Sequence, residues 1–332
     1  YGSGAFPDPD ISYGSGFYTR QDFIEILLYA AERHIEVIPE VNMPGHARAA
    51  IKAMEYRYRK LMEQGKKEEA EKYLLSDPDD QSEYSSAQLY DDNIVCVCKD
   101  APYIFYETVV DDIIEIYEEA GLTLRTLHTG GDEVPLGSWE KSPICKDLLE
   151  KNPEISNFRN LQAYFFGRIV EILEERNLAI AGWEEIAMTF FEDGTWEANP
   201  EFAGKNVIPY VWNSIWGNQD LGYRLANGGY PVILCNDNNF YFDFCSRCCN
   251  FKAVCQIILD ISAASRLLPA CTGSETGTKK SFKNITKIKI SKNIREVIIS
   301  TPAKTIETGD TFMTKFIIRG PFLRIPEDLV SL

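Results

Sequence analysis

The feature that most limits the fold of this chain is an alternation of short apolar runs with helical patterns. The apolar runs lie near residues 35, 122, 178, 207 and 231, and each has the length of a buried strand. Amphipathic helical patterns separate them, as at residues 101–120 and 157–177. Strands that alternate with helices form parallel sheets covered by helices, so the sequence predicts an α/β protein.

Local signals set the bounds of two further segments. Thr19 and Asp22 have the spacing of a helix N-cap, and the helix that they begin is predicted to end near His34. Residues 76–100 are polar and rich in aspartate, which predicts a long loop or an insertion.

The charge of the chain changes sign along its length. The 332 residues have a net charge of −16, of which residues 1–243 contribute −23 and residues 244–332 contribute +7. This change predicts a boundary near Phe244, and the alternation of Ile with polar residues at 285–290 is typical of β structure. An acidic chain argues against a nucleic-acid partner, which needs a basic face, and no apolar run is long enough to span a membrane.

Three of the nine cysteines crowd together at Cys245, Cys248 and Cys249. Such spacing is compatible with a zinc site, but all three histidines lie in the first half of the chain. Free or irregularly paired thiols are therefore the preferred interpretation, and no metal site is predicted.

The segment His128–Glu133, with the sequence His-Thr-Gly-Gly-Asp-Glu, carries the strongest chemical signal. It follows a predicted strand, and its two glycines would let a ligand approach the backbone. Neighbouring side chains of an extended segment point to opposite sides, so Asp132 and Glu133 are predicted to diverge and to serve two functions. The alternative is an acidic N-cap at the start of the next helix. The motif by itself does not separate these interpretations.

Aromatic residues indicate a sugar site at the same edge of the sheet. Trp183, Trp212 and Tyr241 each lie at or soon after the end of a predicted strand. Core packing explains any one of them, whereas three at comparable strand ends favour stacking on sugars. Asp243 shares a face with Tyr241 if the chain is extended there.

Three more polar residues follow predicted strands. His46 ends the segment Pro44-Gly45-His46, and by itself it is interpreted as a structural histidine. Glu184 and Glu185 come directly after Trp183. No second motif accompanies them, so they are predicted to be charges at the rim of the sheet.

The order of these segments resembles that of glycoside hydrolase family 20, the β-N-acetylhexosaminidases. The resemblance covers roughly residues 15–243 and rests on Pro39–His46, His128–Glu133, Gly182–Glu185, Val211–Trp212 and Tyr241–Asp243. It implies a (β/α)8 TIM barrel and an enzyme that removes terminal GlcNAc or GalNAc from glycoproteins, glycolipids or chitin-type oligosaccharides. It implies no metal or organic cofactor, and a secreted, lysosomal or periplasmic location.

The resemblance also implies how the reaction proceeds. Glu133 matches the general acid/base, Asp132 the residue that orients and charge-stabilises the substrate's acetamido nitrogen, and Tyr241 the hydroxyl that binds the acetamido carbonyl. The acetamido oxygen itself is then the nucleophile, and the family is a known exception to the use of two enzyme carboxylates. Glu133 must be protonated before it acts, so its pKa is predicted to be raised to about 6.

The remaining matched residues are implied to hold the sugar or to support the site. Trp183 and Trp212 match walls of the pocket around the N-acetyl group, and Asp243 matches a residue that binds sugar hydroxyls. His46 matches the histidine that supports the acid/base. His128 lies within the catalytic motif and is expected behind the substrate-binding residues.

The match to the family pattern is incomplete. The first two barrel strands and the last have no counterpart, so the expected fold is an incomplete barrel over residues 1–243 with a divergent, β-like tail over residues 244–332. One alternative is therefore a non-catalytic remnant, truncated or misassembled, that binds amino sugars. Another is a barrel glycosidase of a different class, in which Glu185 would be a protein nucleophile facing Glu133.

Overall fold

A parallel sheet forms the centre of the structure, a computed structural model that describes residues 17–191, 193–215 and 217–237 and the backbone of one strand at 314–318. In chain order the strands are β1 Ile35–Pro39, β2 Thr126–His128, β3 Ala179–Trp183, β4 Met188–Phe190, β5 Trp196–Ala198, β6 Val207–Val211, β7 Ile233–Leu234 and β8 Thr314–Ile318. All five strands predicted from the sequence are present. The antiparallel hairpin of β4 and β5 is not predicted by the sequence.

The strands β2, β3, β6 and β7 lie side by side in that order, and all their pairings are parallel. A single parallel bridge between Glu40 and His128 joins the end of β1 to β2. The backbone of β8 also pairs in parallel with β1, with Ile35 opposite Thr314. The carboxyl ends of β1, β2, β3, β6 and β7 therefore meet at one edge of the sheet, where α/β proteins place their sites.

Seven α-helices accompany the strands within the described residues: α1 Arg20–Ala31, α2 Arg48–Glu63, α3 Lys67–Glu71, α4 Ala101–Glu119, α5 Pro143–Lys151, α6 Leu161–Glu175 and α7 Leu221–Asn227. The predicted N-cap of α1 is confirmed: the Asp22 N–H donates to the Thr19 hydroxyl, and the Asp22 carboxylate accepts from the Thr19 N–H at 2.8 Å. The helix ends before His34, which has a left-handed φ of 55°. None of the described helices is both long and apolar enough to cross a bilayer.

The side chains of β3 alternate between the two faces of the sheet. Ile180 packs into the large core beneath the helices, while Ala181 and Trp183 join a smaller cluster with Tyr210 on the other face. This period of two is a property of extended backbone. It places the Trp183 ring on the inner face, next to the strand ends that carry the polar motifs.

Residues 76–100 contain neither helix nor strand, as predicted, but they are not a detached insertion. Val95 and Val97 are fully buried, and their carbonyls accept hydrogen bonds from Trp139 Nε1 at 2.8 Å and from the Tyr103 hydroxyl at 2.7 Å. A disulfide joins Cys98 to Cys145 on α5, a pairing that the sequence does not predict. The loop is thus fixed on the same side as the strand ends.

Candidate active site

The turn that follows β2 requires its two glycines. Gly130 and Gly131 have φ values of 70° and 94°, in the region that L side chains disfavour. A Cβ on Gly130 would lie 2.0 Å from Asn42 Oδ1, and one on Gly131 would lie 2.5 Å from the ring of Phe166. Protein side chains fill this space, so the prediction that the glycines open the backbone to a ligand is wrong.

The acidic pair that ends this turn does not cap a helix. The next described helix begins at Pro143, and the side chain of Ser142 is its N-cap. The N-cap interpretation of Asp132 and Glu133 is therefore wrong. The carboxylates must owe their position to the groups around them.

The two carboxylates converge on one histidine. His46 Nε2 lies 3.5 Å from Asp132 Oδ2 and 3.3 Å from Glu133 Oε2. Glu133 has a φ of 56°, so the chain leaves the extended conformation in which neighbouring side chains alternate. The prediction that Asp132 and Glu133 diverge is wrong for this reason. His46 thus lies beside Glu133, and its support of the acid/base stays a prediction.

These contacts shift the pKa values of His46 and Glu133 in opposite directions. Burial lowers the pKa of His46, but the carboxylates of Asp132 and Glu133 raise it by more, so the net pKa is about 9. The contact with His46 lowers the pKa of Glu133, and Gln88 adds to this, while burial and Asp132 oppose it. The expected rise in the Glu133 pKa is thus contradicted, because the positive charge of His46 stabilises the carboxylate.

Two amide side chains, which sequence reasoning missed, hold the acidic pair. Asn42 Nδ2 donates to Asp132 Oδ1 at 2.8 Å and to Glu40 Oε1 at 3.1 Å, while its Oδ1 accepts from the Gly131 N–H at 3.1 Å. Gln88, in the long loop, donates to Glu133 Oε2 at 3.0 Å. The position of Asn42 within Pro39–His46 was an available signal, whereas nothing in the sequence distinguishes Gln88.

His128 and Trp183 lie beneath this pair. His128 is completely buried, its Nδ1 accepts from the Gly130 N–H at 3.2 Å, and its ring meets Trp183 edge-on with centroids 4.9 Å apart. Trp183 Nε1 lies 3.4 Å from Glu40 Oε1. His128 therefore contacts both the turn and the tryptophan, and its role behind the substrate-binding residues stays a prediction.

Glu184 and Glu185 are not rim charges, which corrects the sequence-based interpretation. Glu184 is 2% exposed, and its carboxylate accepts from the backbone N–H groups of Trp212 at 2.9 Å and Asn213 at 3.2 Å. Glu185 Oε1 accepts from the Glu133 N–H at 3.4 Å. Burial raises the pKa of Glu184 to about 8 and that of Glu185 well above its usual range.

The space beside Glu133 can admit a ligand. A cavity of about 360 Å³ is lined by Glu133, Glu185, Arg159 and two aromatic residues of the β4–β5 hairpin, Phe190 and Trp196. This volume is in the range of small-molecule sites.

Some residues of this region can also be assessed as metal ligands. The ligand atoms of His46, Asp132 and Glu133 lie within 4.8 Å of one another, so these three side chains could hold a cation.

The remaining predicted site residues lie in or beyond the last described segments. Trp212 is half-buried directly after β6. The predicted residues Tyr241 and Asp243, like Cys245, Cys248 and Cys249, lie outside the described residues.

Comparison with known proteins shows which family shares these sequence motifs. Residues 3–284 match the family model described as glycosyl hydrolase family 20, catalytic domain. The chain is 39% identical over 234 residues to a beta-hexosaminidase of Vibrio vulnificus, covering 69% of this chain and 27% of that protein. It is 33% identical over 271 residues to N,N'-diacetylchitobiase of Vibrio harveyi, covering 72% and 30%.

A solved structure extends the similarity to the fold. The GH20 exo-β-N-acetylglucosaminidase of Vibrio harveyi, in complex with N-acetylglucosamine, superposes with a TM-score of 0.52 at 28% identity, covering 67% of this chain and 29% of that one. This similarity indicates a TIM-barrel-like α/β catalytic domain. The chain spans less than a third of the length of each of these relatives. On these matches, and on the Asp132–Glu133 pair that ends β2, the chain belongs to glycoside hydrolase family 20.

Proposed function

We propose that this chain carries the catalytic site of a β-N-acetylhexosaminidase that removes terminal N-acetyl-β-hexosamine by substrate-assisted, retaining catalysis. The observation that carries this proposal is the convergence of Asp132 and Glu133 on His46. The names of the relatives support the substrate class, because they include beta-hexosaminidases and an N,N'-diacetylchitobiase.

Glu133 is the proposed general acid, which protonates the glycosidic oxygen as the bond breaks. In the free site the contact with His46 keeps its pKa low. A bound sugar would exclude water from the carboxyl and raise its pKa, which favours the protonated form.

Asp132 is the proposed partner of the acetamido group. Positive charge develops on the acetamido nitrogen as its oxygen attacks the anomeric carbon, and a fixed carboxylate stabilises that charge. The hydrogen bond from Asn42 fixes Asp132, which is only 6% exposed. No nucleophilic side chain is then needed. Trp183, Trp212, Tyr241 and Asp243 are proposed to enclose the sugar.

The first test is hydrolysis of a fluorogenic N-acetyl-β-glucosaminide by the purified chain, with Glu133→Gln beside it. Loss of the general acid should lower kcat by about 10²- to 10⁴-fold. Glu150→Gln is the matched control, because Glu150 is exposed on α5 away from the site. Equal rates in the wild type and Glu133→Gln would refute the assignment of the acid.

The same assay separates the two alternatives. A folded wild-type chain that binds N-acetylglucosamine without hydrolysing the glycoside would be a non-catalytic amino-sugar-binding remnant. A glycosidase with a protein nucleophile requires that Glu185→Gln abolish activity and that Asp132→Asn preserve it. The hydrogen bond between Glu185 and the Glu133 backbone favours a different function for Glu185.

We also propose that residues 1–243 supply an incomplete (β/α)8 barrel and that part of segment 244–332 packs against it. The parallel register of β8 on β1 supports this, because an uncovered β1 would present an unpaired edge. Slow hydrogen exchange is expected for backbone amides of Ile35–Pro39 that face β8. Exchange of those amides at the rate of an open edge strand would contradict the pairing.

A further inference from the structure

Two adjacent carboxylates at the end of β3 reach toward opposite neighbours in the sheet. The strand β3 lies between β2 and β6. Glu185 contacts the backbone of Glu133, in the turn after β2, while Glu184 contacts the backbone of Trp212, directly after β6. The pair therefore connects three strand ends around the proposed substrate.

Glu185 contacts a residue whose backbone is in the left-handed region. Glu133 has a φ of 56°, and a residue with a side chain pays a conformational cost there that surrounding contacts must offset. Glu185 Oε1 accepts from the Glu133 N–H at 3.4 Å. Glu185 Oε2 is buried and has no hydrogen-bond partner among the described residues. Only one oxygen of this carboxyl group thus accepts a hydrogen bond from the described residues.

Both carboxylate oxygens of Glu184 accept hydrogen bonds from backbone N–H groups. Oε2 accepts from the Trp212 N–H at 2.9 Å, and Oε1 accepts from the Asn213 N–H at 3.2 Å. The side chain is nearly inaccessible, so water cannot replace either bond. Removing one acceptor would leave a buried N–H unsatisfied, which is costly.

We propose that Glu184 and Glu185 are positioning residues with separate tasks: Glu185 aims the acid Glu133 at the leaving group, and Glu184 holds Trp212 against the N-acetyl group. This inference rests on the proposed function and adds two residues to it. Each carboxyl group is proposed to act through the backbone of another residue, Glu133 or Trp212. The two residues are chemically identical neighbours, so each is a control for the other.

The single hydrogen bond that Glu185 accepts can also be accepted by an amide. Burial raises the pKa of Glu185 well above the usual range, and the charges of Glu184 and Asp132 add to the rise. A glutamine has the same shape and one carbonyl acceptor for the Glu133 N–H. The amide can therefore replace Glu185, whereas at Glu184 it offers one acceptor where the structure uses two.

The experiment compares Glu184→Gln, Glu185→Gln and Glu185→Ala on two substrates. One is 4-nitrophenyl N-acetyl-β-glucosaminide, whose leaving group departs with little help from an acid. The other is di-N-acetylchitobiose, whose sugar leaving group needs the proton. A misaimed acid penalises the second substrate selectively, whereas a displaced N-acetyl pocket penalises both equally.

Glu185→Gln is expected to keep kcat/KM within about 3-fold of wild type on both substrates, since one acceptor suffices. Glu185→Ala is expected to lose about 10²-fold on di-N-acetylchitobiose, the cost of a misplaced catalytic group, and much less on the nitrophenyl substrate. Glu184→Gln is expected to lose about 10-fold or more on both, with the same ratio between substrates. Thermal denaturation checks that each variant is folded.

Several results would overturn the proposal. Equal losses on both substrates in Glu185→Ala would reduce Glu185 to a purely structural residue, and inactivity of Glu185→Gln would favour a nucleophile. Normal activity of Glu184→Gln would remove the task given to Glu184.

A second measurement needs no turnover and so separates this proposal from the proposed function. The backbone amide of Glu133, followed by NMR, is expected to shift and to exchange faster with solvent in Glu185→Ala, because its N–H loses its acceptor, and to stay near its wild-type signal in Glu185→Gln. A folded wild-type chain that hydrolyses neither substrate would refute the proposed function, yet this amide signal would still decide the contact of Glu185 with Glu133. An unchanged Glu133 amide signal in Glu185→Ala would refute that contact.

Discussion

The pairs Asp132–Glu133 and Glu184–Glu185 follow neighbouring strands and look alike in sequence, yet they have opposite electrostatic surroundings. The first follows left-handed glycines and meets the side chains of His46, Asn42 and Gln88. The second lies in a short 3₁₀ turn and meets mainly backbone N–H groups. The pKa of Glu133 is lowered, while the pKa values of Glu184 and Glu185 are raised.

The difference shows that burial and the nearest partner together set the direction of each pKa shift: burial dominates at Glu184 and Glu185, and the contact with His46 dominates at Glu133. A nearby histidine can become positive and offsets the cost of removing Glu133 from water. Backbone N–H groups provide only partial charges, which do not offset burial at Glu184. The first pair is therefore suited to chemistry, whereas the second is suited to holding the first.

The largest effect that would test this comparison is expected from Asp132→Asn. The change keeps the shape and the contact with Asn42 but removes the negative charge, so kcat should fall by about 10²- to 10³-fold. The fluorogenic assay measures it, with Glu185→Gln as the isosteric change in the second pair. Near-normal turnover would exclude substrate-assisted catalysis. It would also contradict the view that the Asp132–Glu133 pair, unlike the Glu184–Glu185 pair, takes part in the chemistry.

A smaller effect is expected in the pH dependence of stability. The His46 pKa is raised from 6.5 to about 9 by folding, so its contribution is complete below pH 6.5 and is lost as the pH rises through 9. The part of the free energy of unfolding that His46 contributes should then decline by at most about 3 kcal/mol over this window, measured as the difference between the wild type and a variant without the imidazole. Urea titrations at several pH values measure this decline.

His46→Gln is the control for that pH dependence, since it retains a polar side chain without the titrating ring. Its free energy of unfolding should decline less steeply than that of the wild type between pH 6.5 and 9, and the remaining decline should come from Glu184 and Glu185, whose pKa values burial raises. If the wild type and the variant decline in parallel, His46 does not form an ion pair with the acidic residues.

The smallest effect is expected from Gln88→Ala, which removes one donor from Glu133 Oε2. Gln88 is exposed, so water replaces part of the lost interaction, and kcat/KM should change by less than about 10-fold. The basic limb of its pH profile, where Glu133 loses its proton, should move upward, because the hydrogen bond favours the ionised carboxylate. A basic limb that moves downward would contradict this assignment.

Sequence patterns were sufficient for the parts of the fold that depend on local spacing. The cap at Thr19, the five parallel strands and the helices α4 and α6 follow from periodicity and turn signals. The hairpin of β4 and β5 was missed because its three-residue strands carry too short a pattern. The disulfide from Cys98 to Cys145 was missed because its cysteines are 47 residues apart, and sequence alone does not give such a pairing.

The sequence by itself determined the family, the parallel sheet and the identity of the acidic pair, because these depend on residue type and spacing along the chain. Only the tertiary structure decided what surrounds that pair. Asn42 and Asp132 are 90 positions apart in the chain, and Gln88, which contacts Glu133, lies in a loop without regular structure, so no local pattern places these side chains together. Electrostatic energies depend on burial and on the distances between charged groups in space. The direction of each pKa shift therefore follows from the folded arrangement of the strand ends and not from the sequence.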